Sequence, residues 1–83
     1  MNDIPKSVER VLEELNDARQ KYPEFNSAHE GYAVLKEEVD ELWDEIKKKP
    51  RERDWDLIRD EATQVAAMAI RLIEDIPYMR GSK

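Results

Sequence analysis

Cysteine is absent from this 83-residue chain, and histidine occurs once. The first absence excludes disulfides and thiolate metal centres, and the second excludes a metal site built from several imidazoles. Glycine occurs only at Gly31 and Gly81, too sparsely for a phosphate-cradling loop or a dinucleotide-binding glycine motif. No apolar run approaches the ~20 residues that cross a bilayer, and Met1-Asn2-Asp3 lacks the basic-then-apolar character of a signal peptide. A cytoplasmic location is the expectation, since a reducing compartment suits a cysteine-free chain. Positive charge is also in deficit. Twenty acidic residues against fourteen basic ones leave a net charge of −6, which argues against nucleic-acid and anionic-membrane partners because phosphate would be repelled over most of the surface. An acidic protein that handles an anion needs a metal cation between them.

What is present is helical periodicity. With only two glycines and four prolines, the chain has few places to turn, and the pattern predicts one all-α domain over residues 1–83. Its three main helices are expected at about residues 7–22, 28–49 and 55–76. In the first, Val8, Val11, Leu12, Leu15, Ala18 and Tyr22 recur at three- and four-residue steps and make one apolar stripe. Pro23 ends it. Ser27-Ala28-His29-Glu30 has the S-x-x-E form of a capping box, so Ser27 is the expected N-cap of the second helix. Its apolar face is Tyr32, Leu35, Val39, Leu42, Trp43 and Ile46, with Trp43 expected in the core. Lys47, Lys48 and Lys49 are expected in the last turn, where they suit the helix dipole before Pro50 stops the helix.

The third helix carries a stripe of Trp55, Ile58, Ala62, Val65, Ala69, Leu72 and Ile76. Ala66, Ala67, Met68, Ile70 and Ile73 extend apolar character nearly all the way round it. A helix apolar on most sides is buried on most sides, and two other helices of so short a chain cannot cover it. The bundle is therefore expected to be completed by homo-oligomerisation.

At about 100° per residue, Glu38, Glu41 and Glu45 form a narrow row beside the apolar face of the second helix, with Val34 at one end. Carboxylates bordering a buried face repel one another unless a cation or donor offsets them. On the third helix Glu61, Gln64 and Arg71 share one side, with Met68 between Gln64 and Arg71. Antiparallel packing of the two helices would bring Glu38 and Glu41 opposite Glu61 and Gln64, a set of oxygen ligands suited to Mg²⁺ or Mn²⁺. Charged residues are 41% of the chain, so the same E-x-x-E spacing is also what an ordinary solvated helix face presents.

The run Glu37-Glu38-Val39-Asp40-Glu41, followed after nineteen intervening residues by Glu61-Ala62-Thr63-Gln64, resembles the E-E-x-x-E … E-x-x-D pattern of the MazG-like, all-α nucleoside triphosphate pyrophosphohydrolases. The resemblance spans residues 7–76 and includes the order of helices and the charged linker. It implies Mg²⁺-dependent cleavage of a nucleoside triphosphate to the monophosphate and pyrophosphate, in a homodimer or homotetramer. It also implies metal ligation by Glu38, Glu41 and Glu61, with Glu37 as ligand or supporting group. The chain departs from the pattern at Gln64, where the family has aspartate; a neutral amide oxygen holds a hard cation less tightly. That departure leaves a second reading open, a catalytically inactive helical oligomer that binds a nucleotide or a protein partner.

Arg71 interrupts the apolar third helix and is expected to meet either a phosphate or a glutamate such as Glu38 or Glu45. The cluster Lys47, Lys48, Lys49, Arg51 and Arg53 reads as a solvated helix end and linker, with a phosphate contact as the alternative. His29 reads as structural or exposed, Trp55 as core or interface, and Phe25 and Asn26 as loop packing with a base contact as the alternative.

Overall fold

A computed structural model describes residues 3–80. Helix α1 spans Lys6–Lys21, α2 spans Ala28–Ile46 and α3 spans Trp55–Arg80, with a single 3-10 turn at Pro50–Glu52 in the linker. No strand occurs among the described residues, so the fold is all-α.

The helix ends have identifiable causes. Tyr22 is extended, as the residue before Pro23 must be, and this closes α1. Ser27 caps α2, its Oγ accepting from the Glu30 amide at 3.1 Å. The reciprocal bond of the box is shifted by one residue, because Glu30 Oε1 accepts from the amide of Asn26 at 2.6 Å. Helix α2 stops at Ile46, three residues short of the expected Lys49. Arg53 Nε donates to the Ile46 carbonyl at 2.8 Å, and Lys49 is extended ahead of Pro50. The three lysines thus follow the helix; Lys47 pairs with Asp44 and Lys48 with Glu45. Asp54 Oδ1 caps α3 through the Leu57 amide at 3.1 Å. At its other end α3 continues through Pro77 to Arg80, one turn past the expected stop at Ile76. It forgoes there only the amide bond that proline cannot donate.

Helix α3 is the spine. Both α1 and α2 pack on it, and among the described residues α1 and α2 do not pack on each other. Gly31 of α2 is buried against α3 and the Phe25 loop, and a Cβ there would collide with Leu72 Cδ1 and crowd the Phe25 ring at 3.2 Å. The buried apolar set is small: Leu15, Ala18, Phe25, Ala67 and Met68. The radius of gyration is 14.5 Å, well above the ~12 Å of a compact chain of this length.

The side of α3 turned inward is not the stripe the sequence favours. Ala67, Met68, Arg71 and Asp75 are buried along one side of α3, with Glu61 and Gln64 half-buried in line with them, whereas no member of the Trp55-to-Ile76 stripe is more than half-buried. Trp43, expected in the core, is 57% exposed; Trp55 is 63% and Ile73 64% exposed. On α2 the predicted face splits: Leu35, Leu42 and Ile46 are half-buried, while Tyr32, Val39 and Trp43 face outward. The reason is physical. Periodicity identifies a helix's most apolar side, but on the opposite side of α3 Gln64, Arg71 and Asp75 find partners in α1 and the loop after it.

Asp75 is the clearest case, fully buried. Its Oδ2 accepts from the Phe25 amide at 3.0 Å, and its Oδ1 lies 3.0 Å from Arg19 Nη2, which also binds Glu74. The pair fastens the end of α1 and the following loop to α3. Asp75→Asn keeps an oxygen for Phe25 but removes the charge facing Arg19. Arg19 is a third exposed, so chemical denaturation should show a loss of about 1–2 kcal/mol and not the larger cost of a fully buried pair.

Candidate metal centre and the cleft beside it

Glu38 and Glu41 lie one turn apart on α2, and α3 brings Glu61 to meet them. One carboxylate oxygen from each lies within 4.8 Å of the others. Glu38 and Glu61 are half-buried and Glu41 is exposed. Burial holds the Glu38 carboxyl above its ordinary value, with Glu41, Glu61 and Glu37 raising it further. Burial likewise raises Glu61, helped by Glu41 and Glu45. Glu38 and Glu61, from two helices, thus sit beside Glu41 at a free-energy cost to their own ionised forms.

A hard divalent cation fits this donor set. The oxygens are all anionic, and ligands at about 2.1 Å from an octahedral ion stand at most ~4.2 Å apart. A modest inward movement of three flexible side chains closes the shell. Glu45, next along the row, is mostly enclosed and paired with Lys48 Nζ at 2.7 Å.

The raised carboxyls carry a sign that is testable in the metal-free protein. Their protonated forms are favoured in the fold, so their contribution to stability is complete below about pH 4.5 and is lost as pH rises through the folded values. Thermal melts of wild type and Glu38→Gln between pH 4 and 7 should therefore diverge. The variant is expected to be the more stable at pH 7, with the gap closing toward pH 4.5. A constant gap would show that Glu38 feels no such repulsion.

Beside the cluster lies a cleft of about 630 Å³, within the range of small-molecule sites. It opens between α1 and α2, whose Cα atoms stay more than 8 Å apart, and residues of α3 line its floor. Glu38 belongs to both cluster and cleft, and Glu37 lines the cleft without joining the three-carboxylate group. Ala18, Val34 and Met68 supply apolar wall, and Tyr22 stands at the edge, 58% exposed.

No family model, curated protein or solved structure matches this chain.

Arg71 lines the cleft but does not take the carboxylate partner that was one of its two expected roles. It is buried, donates from Nη2 to the Pro23 carbonyl at 2.7 Å, and lies 4.1 Å over the Phe25 ring and 5.7 Å from the Tyr22 ring. Its Nη1 has only the Met68 sulfur at 3.9 Å, and its Nε is buried without a partner. With the Phe25–Asp75 bond, this fastens the loop after α1 to α3 and settles Phe25 as a packing residue in the chain.

Gln64 also lines the cleft, and its amide donates to Glu14 Oε1 of α1 at 2.6 Å. Glu14 was not singled out from the sequence. It lies on the polar side of an amphipathic helix, fifty residues from its partner, and no local pattern marks it.

Proposed function

We propose that the chain is a Mg²⁺-dependent nucleoside triphosphate pyrophosphohydrolase, acting as a homo-oligomer in the cytoplasm. The observation that carries this reading is the convergence of Glu38, Glu41 and Glu61 beside a nucleotide-sized cleft. The MazG-like spacing of the same residues supports it independently of their geometry. In this reading Glu38, Glu41 and Glu61 hold the metal and Gln64 adds a neutral oxygen. Mn²⁺ is the natural substitute ion. The ion supplies positive charge against the triphosphate, and so answers how a protein of net charge −6 holds a polyanion.

The remaining residues have separate tasks. The cleft between α1 and α2 takes the nucleoside, with apolar contact from Ala18, Val34 and Met68. Arg71 keeps Nη1 for a phosphate oxygen while Nη2 holds the loop. Glu37, exposed toward the cleft, accepts the proton of the attacking water. The water oxygen bonds to one phosphorus of the α–β anhydride, the bond from that phosphorus to the bridging oxygen breaks, and the bridging oxygen leaves on the other phosphorus, giving monophosphate and pyrophosphate.

Oligomerisation, as dimer or tetramer, is supported by the exposed Trp55, Ile73 and Ile76 on α3, by Tyr32, Val39 and Trp43 on α2, and by the thin single-chain core. A second reading, an inactive oligomer that binds a nucleotide or protein partner, is favoured by one feature, the neutral Gln64. Two measurements separate them. Mg²⁺ at millimolar concentration should raise the melting temperature in either case. Only the enzyme converts members of a triphosphate panel to monophosphates, and a panel left intact would retire the catalytic reading.

A further inference from the structure

Helix α3 divides the molecule into two unlike sides. Gln64, Met68 and Arg71 line the cleft on one of them. At about 100° per residue, Trp55, Ala62, Ala66 and Ile73 stand roughly opposite. The flanking helices follow the same division. Glu14 and Asp17 of α1 and Val34 and Glu37 of α2 line the cleft. Round the far sides of those helices stand the exposed Val8 and Leu12, and Val39 and Trp43. The body is flat, 47 × 36 × 19 Å, with the cleft on one side and apolar side chains on the other. A layer of helices with a bare apolar face needs a second layer to cover it. The area involved is that of an interface. The chain exposes 6371 Å², roughly 1,200 Å² more than the ~5,200 Å² of a compact monomer of 9.8 kDa. Each partner of a standard interface gives up about 800 Å².

A second copy of the chain suits this face because α3 matches itself. Steps of four and three residues from Trp55 run through Ala62, Ala66 and Ala69 to Ile73 and Ile76, the spacing of a helix–helix seam. Small side chains occupy its middle and bulky ones both ends. A two-fold axis at Ala66 sets alanines against alanines, where the backbones approach closely, and brings Trp55 level with Ile76 of the second copy. Arg59 and Arg80 fall on the same stripe. A parallel pair would stack each on its own counterpart, whereas an antiparallel pair sets Arg59 level with Ile73 of the second copy. We propose that two copies pack antiparallel along this stripe, Ala66 of each beside the two-fold axis, so that the two clefts open on the outer sides of the pair. This rests on the homo-oligomer named above and adds to it the face, the direction of pairing and a cleft built from one chain alone.

The chain has no cysteine, so an introduced thiol reports its neighbours without background, and a disulfide forms only where Cα atoms come within about 7 Å. Single-cysteine variants of the full chain are oxidised at micromolar concentration and resolved on a non-reducing gel. Circular dichroism and light scattering confirm that each keeps the wild-type fold and size. Ala66→Cys is expected to become mostly a linked dimer. Arg59→Cys and Ile73→Cys should each stay largely unlinked alone, and should link to one another when the two are mixed and allowed to exchange. Asp17→Cys, in the cleft, should stay unlinked. Self-linking of Arg59→Cys and Ile73→Cys would mean a parallel pair, and self-linking of Asp17→Cys an interface at the cleft; either overturns the inference and leaves an oligomer standing. An assembled wild-type protein in which none of these thiols links would overturn it too, by putting the interface on another face. A wild-type protein that scatters as a single 9.8 kDa chain removes the oligomer itself, and the inference falls with it.

Discussion

Ile73→Asp is expected to reduce the protein to a 9.8 kDa species in light scattering at micromolar concentration. Ile73 is 64% exposed within one chain, so the substitution takes nothing from that chain's own core. If the outer stripe of α3 is covered by another copy, the variant loses the burial of one isoleucine and forces a carboxylate into an apolar contact. Together these cost at least about 3 kcal/mol per contact, or more than a hundredfold in association, and a two-fold interface suffers the change twice. Ala69→Glu, on the same stripe and half-buried, is expected to act alike. If the wild-type protein is itself a single chain in solution, or if both variants assemble normally, the interface does not lie on this side of α3.

The second large effect concerns the carboxylates. Glu61→Gln and Glu41→Gln each remove one anionic ligand, and turnover of the favoured triphosphate should fall by about 10²–10³-fold, as when a group that stabilises transition-state charge is lost. The same variants should be no less stable than wild type without metal, because they relieve repulsion among three clustered carboxylates. They should also gain less from Mg²⁺. This combination separates a ligand from a structural residue: loss of a structural residue lowers activity and stability together. Glu37→Gln should instead lower turnover while leaving Mn²⁺ affinity nearly unchanged, since Glu37 faces the cleft outside the cluster.

The Glu14 contact changes what is expected at Gln64. Aspartate there adds a charged oxygen for the cation, but it also loses the donor that Glu14 accepts from and sets two carboxylates near each other. Gln64→Asp alone should bind metal little better than wild type, whereas Gln64→Asp combined with Glu14→Gln should bind it more tightly.

Much of this architecture is legible in the sequence because it is local. Pro23, Ser27 and Pro50 mark helix ends through backbone chemistry that acts within a few residues, and the structure places those ends within one to three residues of expectation. The meeting of Glu38, Glu41 and Glu61 was also accessible, since i, i+3 spacing fixes two of them on one helix side and antiparallel packing supplies the third. What escaped notice depends on distant partners. Asp75 is acidic and lies among apolar residues near the end of α3, yet it is fully buried, with Arg19 and the Phe25 amide as its partners. Arg71 offers two readings in sequence, and the structure gives a third, a cation stacked on Phe25 that holds the Pro23 carbonyl. Trp43 and Ile73 are apolar at helical spacing, yet both are exposed in the single chain. Hydrophobic periodicity would read intra-chain and inter-chain burial identically, so it does not say which side of α3 its own α1 and α2 enclose.

Phosphorus NMR of the products, with Mg²⁺ and a nucleoside triphosphate panel, tests the central assignment most directly. It should show pyrophosphate and nucleoside monophosphate appearing together in equal amounts, dependent on the metal and nearly abolished in Glu61→Gln. Orthophosphate and diphosphate as the products, or a rate indifferent to Glu61, would contradict the assignment of this site as a pyrophosphohydrolase centre.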